Sequence, residues 1–130
     1  LEAAIKNMNR RKALGPDEIQ MEAFKEMKLE QREHLLELLN NWWNLENMPT
    51  EALRARIVLI FKKGDSADLN NYRPISLLNS TYKLFAAILQ KRIADTLDPH
   101  LQETQYGFRK KRGTADALAY VRRLYRYWRK

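Results

Sequence analysis

Ile57-Val58-Leu59-Ile60-Phe61, then Lys62-Lys63-Gly64-Asp65, then Tyr72-Arg73-Pro74-Ile75-Ser76-Leu77-Leu78: these residues decide the fold. The first run is continuous, β-branched and aromatic, and too short for an ordinary helix, so it reads as a strand buried on both faces. A polar stretch through Asn70-Asn71 follows, and the Tyr72 run reads as its antiparallel partner. The expected product is a hairpin with a basic, flexible tip. Pro74 has no amide to donate, which places the second strand at an edge or gives it a bulge there. Lys62 ends the first strand and Arg73 begins the second, so the hairpin brings an ammonium and a guanidinium to one end of the ladder. Such a pair suits a triphosphate, since phosphate oxygens accept both point-charge and bidentate contacts. From spacing alone, two ordinary solvated strand-end charges are the simpler reading of the same residues and the favoured one.

Outward from the hairpin the pattern is helical. Leu1, Ile5 and Met8 share a stripe, and Lys12-Ala13-Leu14-Gly15-Pro16-Asp17 interrupts it with a turn. Pro16 suits the first turn of a second helix running to about Lys28, with Asp17 and Glu18 at its amino end. A longer helix carries Leu35, Leu38, Leu39, Trp42 and Leu45 at three- and four-residue steps and stops at Asn47 to Pro49. Trp42 and Trp43 are adjacent, point about 100° apart on a helix, and both read as packing residues. Beyond the hairpin, Asn79-Ser80-Thr81 supplies capping side chains for a helix with Leu84, Phe85, Ile88, Leu89, Ile93 and Leu97 on one face. Pro99 ends it. Gln105 to Thr114 holds two glycines and four consecutive basic residues, which argues for a loop. Gly113 or Thr114 then caps a last helix with Ala117, Val121, Leu124 and Trp128 on one stripe. The fold class is therefore α+β: a helical layer over residues 1–53, one antiparallel β-hairpin over 54–79, and helices over 80–130.

Composition narrows the function. The 45% hydrophobic and 31% charged content is too apolar for a disordered tail and too charged for a membrane protein. No apolar run approaches the ~20 residues of a bilayer span, and no basic-then-apolar leader precedes Leu1, so an intracellular protein without a membrane partner is expected. Cysteine is absent, and His34 and His100 show no ligand spacing. The net charge is +8, distributed unevenly. Residues 1–53 hold 7 Lys and Arg against 10 Asp and Glu, a balance of −3, and residues 54–130 hold 17 against 6, a balance of +11. A surface of that kind attracts polyanions, and nucleic acid is the commonest inside cells. Asp65 and Asp68 are close enough to suggest a metal pair, but in a loop rich in Asn and Ser their usual work is turn-making. No metal site and no catalytic residue is expected. Phe108 beside Arg109 could stack a base and grip a phosphate, or serve as a buried anchor beside a solvated charge. Tyr120, Tyr125, Tyr127 and Trp128 read as helix packing.

Taken in order, Lys12-Ala13-Leu14-Gly15-Pro16-Asp17-Glu18-Ile19, Ile57 through Asp65, Asn71 through Asn79, Tyr82-Lys83, and Gln105-Tyr106-Gly107-Phe108-Arg109 with Arg112-Gly113-Thr114 resemble successive motifs of LINE-type, non-LTR reverse transcriptases, relatives of group II intron maturases. The resemblance implies the fingers of a right-hand polymerase leading into its palm, with RNA template, DNA primer and incoming dNTP as partners. It implies that Lys62 or Lys63, together with Arg73, holds the triphosphate. It implies that Lys12, Gly15, Gln105, Phe108, Arg109, Lys110, Lys111 and Arg112 lie along the nucleic acid. Phe61 stands where the family usually has proline, which leaves Lys62 and Lys63 as alternatives, and Glu18 stands where glycine is common. The family's metal-binding aspartates are expected further along than these motifs, so this stretch should bind without catalysing and hold no cofactor, the Mg²⁺ belonging to the complete enzyme. Cut from its palm, the hairpin should favour homodimers. Nuclear localisation is expected for a eukaryotic element of this type. A noncatalytic, maturase-like RNA-binding module is the alternative function.

Overall fold

The computed structural model describes residues 1–129. The described residues form two compact units, residues 1–90 and the residues from 91 onward.

In the first unit, α1 (Glu2–Asn7), α2 (Met21–Glu26) and α3 (Leu29–Asn44) lead through a 3-10 turn at Thr50–Leu53 into β1 (Ala55–Phe61) and β2 (Tyr72–Leu78), and α4 begins at Ser80 and runs to Leu97. Ile5, Met21, Phe24, Leu35, Leu39, Trp42, Ala52 and Leu84 form the core, with Phe85 and Ile88 packed against it. Trp42 meets Phe85 edge-on at 5.8 Å between ring centroids. Of the leucine stripe expected on α3, Leu35, Leu39 and Trp42 are buried, whereas Leu38 and Leu45 face solvent. Trp43, 55% exposed, is no core residue, because its direction on the helix lies away from Trp42. At the start of α3, Gln31 Oε1 accepts the Lys28 N–H at 2.9 Å, the side chain of the first turn reaching back to the residue that precedes the helix.

The second helix starts later than its sequence suggests. Gly15 to Glu18 form a turn, with the Glu18 N–H donating to Gly15 O, and α2 begins only at Met21. Asp17, expected at the head of α2, caps α4 instead: its Oδ2 accepts the Ser80 N–H at 2.6 Å. Ser80 Oγ in turn donates to Ile19 O at 2.7 Å, closing a clasp across more than sixty residues of chain. Gly15 lies flat on the end of β2, where a Cβ would stand 2.1 Å from the Leu78 carbonyl oxygen. Glu18 adopts a left-handed conformation, φ 52°, which accounts for the glycine common at that place.

Tyr72 to Leu78 pair antiparallel with Phe61 back to Ala55, the hairpin that was expected. The burial expected for β1 is not found: all seven of its residues are exposed. The sheet has two strands among the described residues, so neither face is covered by a neighbouring strand layer. Pro74 sits opposite Leu59 without a bulge. The Lys62 N–H donates to Asn71 O at 2.8 Å, and alternation along the ladder leaves Leu59 and Pro74 as a pair whose amides point outward, so proline costs no bond. The tip is also more ordered than expected. Asp65 Oδ1 accepts from Ala67 N, Asp68 Oδ1 from Asn70 N, Asn71 Nδ2 donates to Asp65 O, and Tyr72 OH to Ser66 O, each at 2.9 Å.

The second unit contains the end of α4, a 3-10 turn at Asp98–His100, a loop, and α5 (Thr114–Trp128). Gly113 caps α5, and Asp116 Oδ2 reaches back to the Gly113 N–H at 2.8 Å. Of the packing stripe expected on α5, Ala117 is half-buried while Val121, Leu124 and Trp128 are exposed, Val121 at 59% and Trp128 at 81%, and the tyrosines beside it are exposed as well.

Two substitutions test the clasp. Gly15→Ala should cost about 3 kcal/mol or more, since backbone rather than a movable side chain occupies the Cβ position. Glu18→Gly should stabilise by up to about 1 kcal/mol, relief of left-handed strain exceeding the loss of an exposed ion pair with Arg56 and the added chain entropy. Urea denaturation of each variant measures both; a neutral Gly15→Ala would remove the close approach as a constraint.

Candidate nucleic-acid interface

The hairpin sorts its cations by alternation. Phe61 pairs with Tyr72, their rings 5.3 Å apart on one face, and Lys62 continues the ladder opposite Asn71. Residues 60, 62 and 73 therefore share the other face. Lys62 and Arg73 are diagonal neighbours, about 7–8 Å apart by ladder geometry, within reach of one polyphosphate. Both are exposed, and neither has an ion-pair partner among the described residues. Lys63 lies past the ladder, in the bend before Gly64, φ 96°. Phe61, in the place where proline is usual, packs its ring on Tyr72, and ladder alternation puts Lys62 on the face of Arg73. Asp65 and Asp68 spend their carboxylates on the turns described above, and no three His, Cys, Asp or Glu among the described residues gather as metal ligands.

Lys12 is exposed and, with Lys83, borders an open cleft of about 470 Å³ floored by Met8, Ala13, Ile19 and Met21. Gly15 is buried beneath that loop, where its missing side chain serves packing on Leu78.

In the second unit the basic loop divides into residues that hold it and residues that it presents. Arg109 holds it. Its Nε donates to Asp98 Oδ1 at 2.8 Å, Nη2 to Asp98 O at 3.1 Å and Oδ2 at 3.2 Å, and Nη1 to Gln102 O at 3.0 Å and Gln105 O at 3.5 Å. All five guanidinium donors are spent inside the loop, and the side chain is only 11% exposed. The hydrogen bond from Arg109 keeps the Asp98 carboxyl below its usual range, partly opposed by burial and assisted by the charges of Arg109, Arg112 and Lys110. Asp98 in turn raises the Arg109 guanidinium above its ordinary value. The pair therefore contributes stability above the ordinary carboxylate range and loses it only as acid titrates Asp98 through its depressed value. Gln105 stays local, donating from Nε2 to Gly107 O at 3.3 Å.

Phe108, Lys110, Lys111 and Arg112 are what the loop presents. The Phe108 ring is wholly exposed on a left-handed residue, φ 60°. Lys110 and Lys111 are exposed, and Arg112 rests over the Tyr106 ring at 5.8 Å. Of the two readings of Phe108 and Arg109, the anchor proves to be the arginine and the free group the phenylalanine. On α5, Arg122, Arg126 and Arg129 border one groove with Val121 and Tyr125, and Arg129 stacks on Tyr125 at 5.0 Å. The steps of four and three between these arginines were a legible signal that the net charge of the segment concealed.

Two comparisons bear on this arrangement. The family model for reverse transcriptase (RNA-dependent DNA polymerase) matches residues 60–129, more than half of the chain, from the end of β1 through α5. A Drosophila melanogaster protein described as a probable RNA-directed DNA polymerase from transposon BS is 28% identical over 118 residues, covering 88% of this chain. The match spans 13% of that relative's own length. The chain belongs to the reverse transcriptase (RNA-dependent DNA polymerase) family.

Proposed function

We propose that this chain is the fingers portion of an RNA-directed DNA polymerase of a non-LTR element, binding template RNA, DNA primer and incoming dNTP within a longer protein. The observation that carries the reading is the common face of Lys62 and Arg73, two unpaired cations at one end of a hairpin whose register is fixed by the Phe61–Tyr72 contact. Lys62, rather than Lys63, is the lysine of the pair. Lys12, Phe108, Lys110, Lys111 and Arg112 serve the nucleic acid, while Gly15, Gln105 and Arg109 build the loops that carry them. Mg²⁺ would be held by carboxylates of the longer protein and would supply charge stabilisation at the reacting phosphate. The exposed apolar residues of both hairpin strands support self-association of the isolated chain. A eukaryotic element would place the work in the nucleus. No helix is long and apolar enough to cross a membrane among the described residues.

Two measurements test this. Binding of the chain to single-stranded RNA should weaken steeply with salt, and replacing Lys110, Lys111 and Arg112 with Ala should lower the slope of log K against log salt by about two to three. A slope indifferent to the substitution would separate these cations from the phosphate chain. In the complete polymerase, Arg73→Ala and Lys62→Ala should each weaken apparent nucleotide affinity by one to two orders of magnitude, about 1.5–3 kcal/mol, with template affinity held. Arg73→Lys should recover only part, since an ammonium keeps the charge and loses the fork. Steady-state extension against nucleotide concentration decides it, and a larger loss in Lys63→Ala would move the lysine by one residue.

A further inference from the structure

The loop from Asp98 to Gly113 contains a contradiction that local chemistry does not resolve. A large apolar ring, Phe108, stands completely in solvent, on a backbone conformation that a bulky side chain rarely adopts. Neither the hydrophobic effect nor intrinsic preference would put it there, so something else must hold it. What holds it is the next residue. Arg109 turns inward and bonds the Asp98 carboxylate, the Asp98 carbonyl and the carbonyls of Gln102 and Gln105, gathering the first half of the loop, residues 98–105, around one planar group. With residue 109 fixed inward and φ at 108 positive, the Phe108 ring projects the other way. Lys111, also left-handed at φ 59°, and the adjacent Lys110 and Arg112 supply the cations around it. The charged groups facing the pair are Arg112 and Lys110 toward Asp98 and Glu103 toward Arg109.

We propose that Asp98 and Arg109 form a positioning clamp that holds Phe108 out as a preformed stacking platform for the bases of single-stranded nucleic acid. The inference rests on the nucleic-acid role given to the loop above and assigns Asp98, which no motif marks, a part in it. A platform ordered in advance spends no binding energy on fixing the loop. Stacking of a base on an aromatic ring is indifferent to sequence, and the surrounding lysines would take the phosphates on either side.

The sign of one substitution separates this from charge alone. Asp98→Asn adds a unit of positive charge and, by electrostatics only, should tighten binding to any polyanion. The 130-residue chain and its variants are titrated against a labelled oligouridylate and against the same phosphate chain lacking bases, with fluorescence anisotropy as readout. Phe108→Ala should lose about tenfold on the oligouridylate and nothing on the abasic strand. Asp98→Asn should lose a similar factor on the oligouridylate while holding or gaining on the abasic strand, Asp98→Glu should recover part of it, and Asp98→Asn with Phe108→Ala should lose no more than Phe108→Ala alone. If Asp98→Asn fails to fold by circular dichroism, Arg109→Lys replaces it, keeping the charge and losing the fork. Tightening or no change on the oligouridylate in the clamp variant, with Phe108→Ala still impaired, overturns the clamp and leaves stacking in place. An unimpaired Phe108→Ala overturns the stacking reading, and the clamp with it.

Discussion

The fit of the Gly15–Asp17 turn onto the junction between β2 and α4 is the constraint on which the first unit depends. Three elements meet there through one absent side chain and two hydrogen bonds: Gly15 on Leu78 O, Asp17 on Ser80 N, and Ser80 Oγ on Ile19 O. The junction sets the direction in which α4 leaves the sheet, and α4 contributes Leu84, the most deeply buried side chain of the core. The clasp also carries a cost. Asp17 Oδ1 is buried without a protein partner among the described residues, so its desolvation must be offset by the bond its other oxygen makes.

Charge is divided between the units in a way that follows from what each has to do. In the amino-terminal layer two arginines meet glutamates: Arg32 reaches both Glu2 and the Lys25 carbonyl, and Arg10 lies near Glu26. Among the described residues the hairpin and the second unit leave Lys62, Lys63, Arg73, Lys110 and Lys111 without an ion-pair partner, whereas Arg56, Lys91 and Arg109 each have one. A guanidinium whose five donors are all occupied contributes field but no contact, whereas the exposed Lys110 and Lys111 beside it remain open to an incoming anion. Sequence proximity thus joins two different kinds of residue in one basic run.

Much of this architecture could be read in the sequence. The Ile57–Phe61 and Tyr72–Leu78 runs pointed to the hairpin, because two apolar, β-branched runs bounded by Asn and Gly read as paired strands. The long helices followed from their periodicity, and the ordered motifs pointed to the family. What escaped was the partner of each polar group. Asp17 before a helical pattern looks like a cap for the nearest helix, and nothing local shows that its amide lies at residue 80. Burial escaped as well: a continuous apolar strand predicts a sheet covered on both faces, whereas all seven residues of β1 are exposed. The basic loop was legible as a loop, but only its three-dimensional path reveals that residue 109 faces in and residue 108 out.

The clasp also has a consequence for synthesis. Gly15 and Asp17 leave the ribosome long before Leu78 and Ser80 exist, and at ordinary translation speeds the interval is on the order of three to ten seconds. Through that interval the turn has no carbonyl to lie on and no amide to accept, while the helices around it can already form. The amino-terminal layer must therefore wait in an unfinished state, its apolar face open, until the hairpin emerges and supplies the missing end.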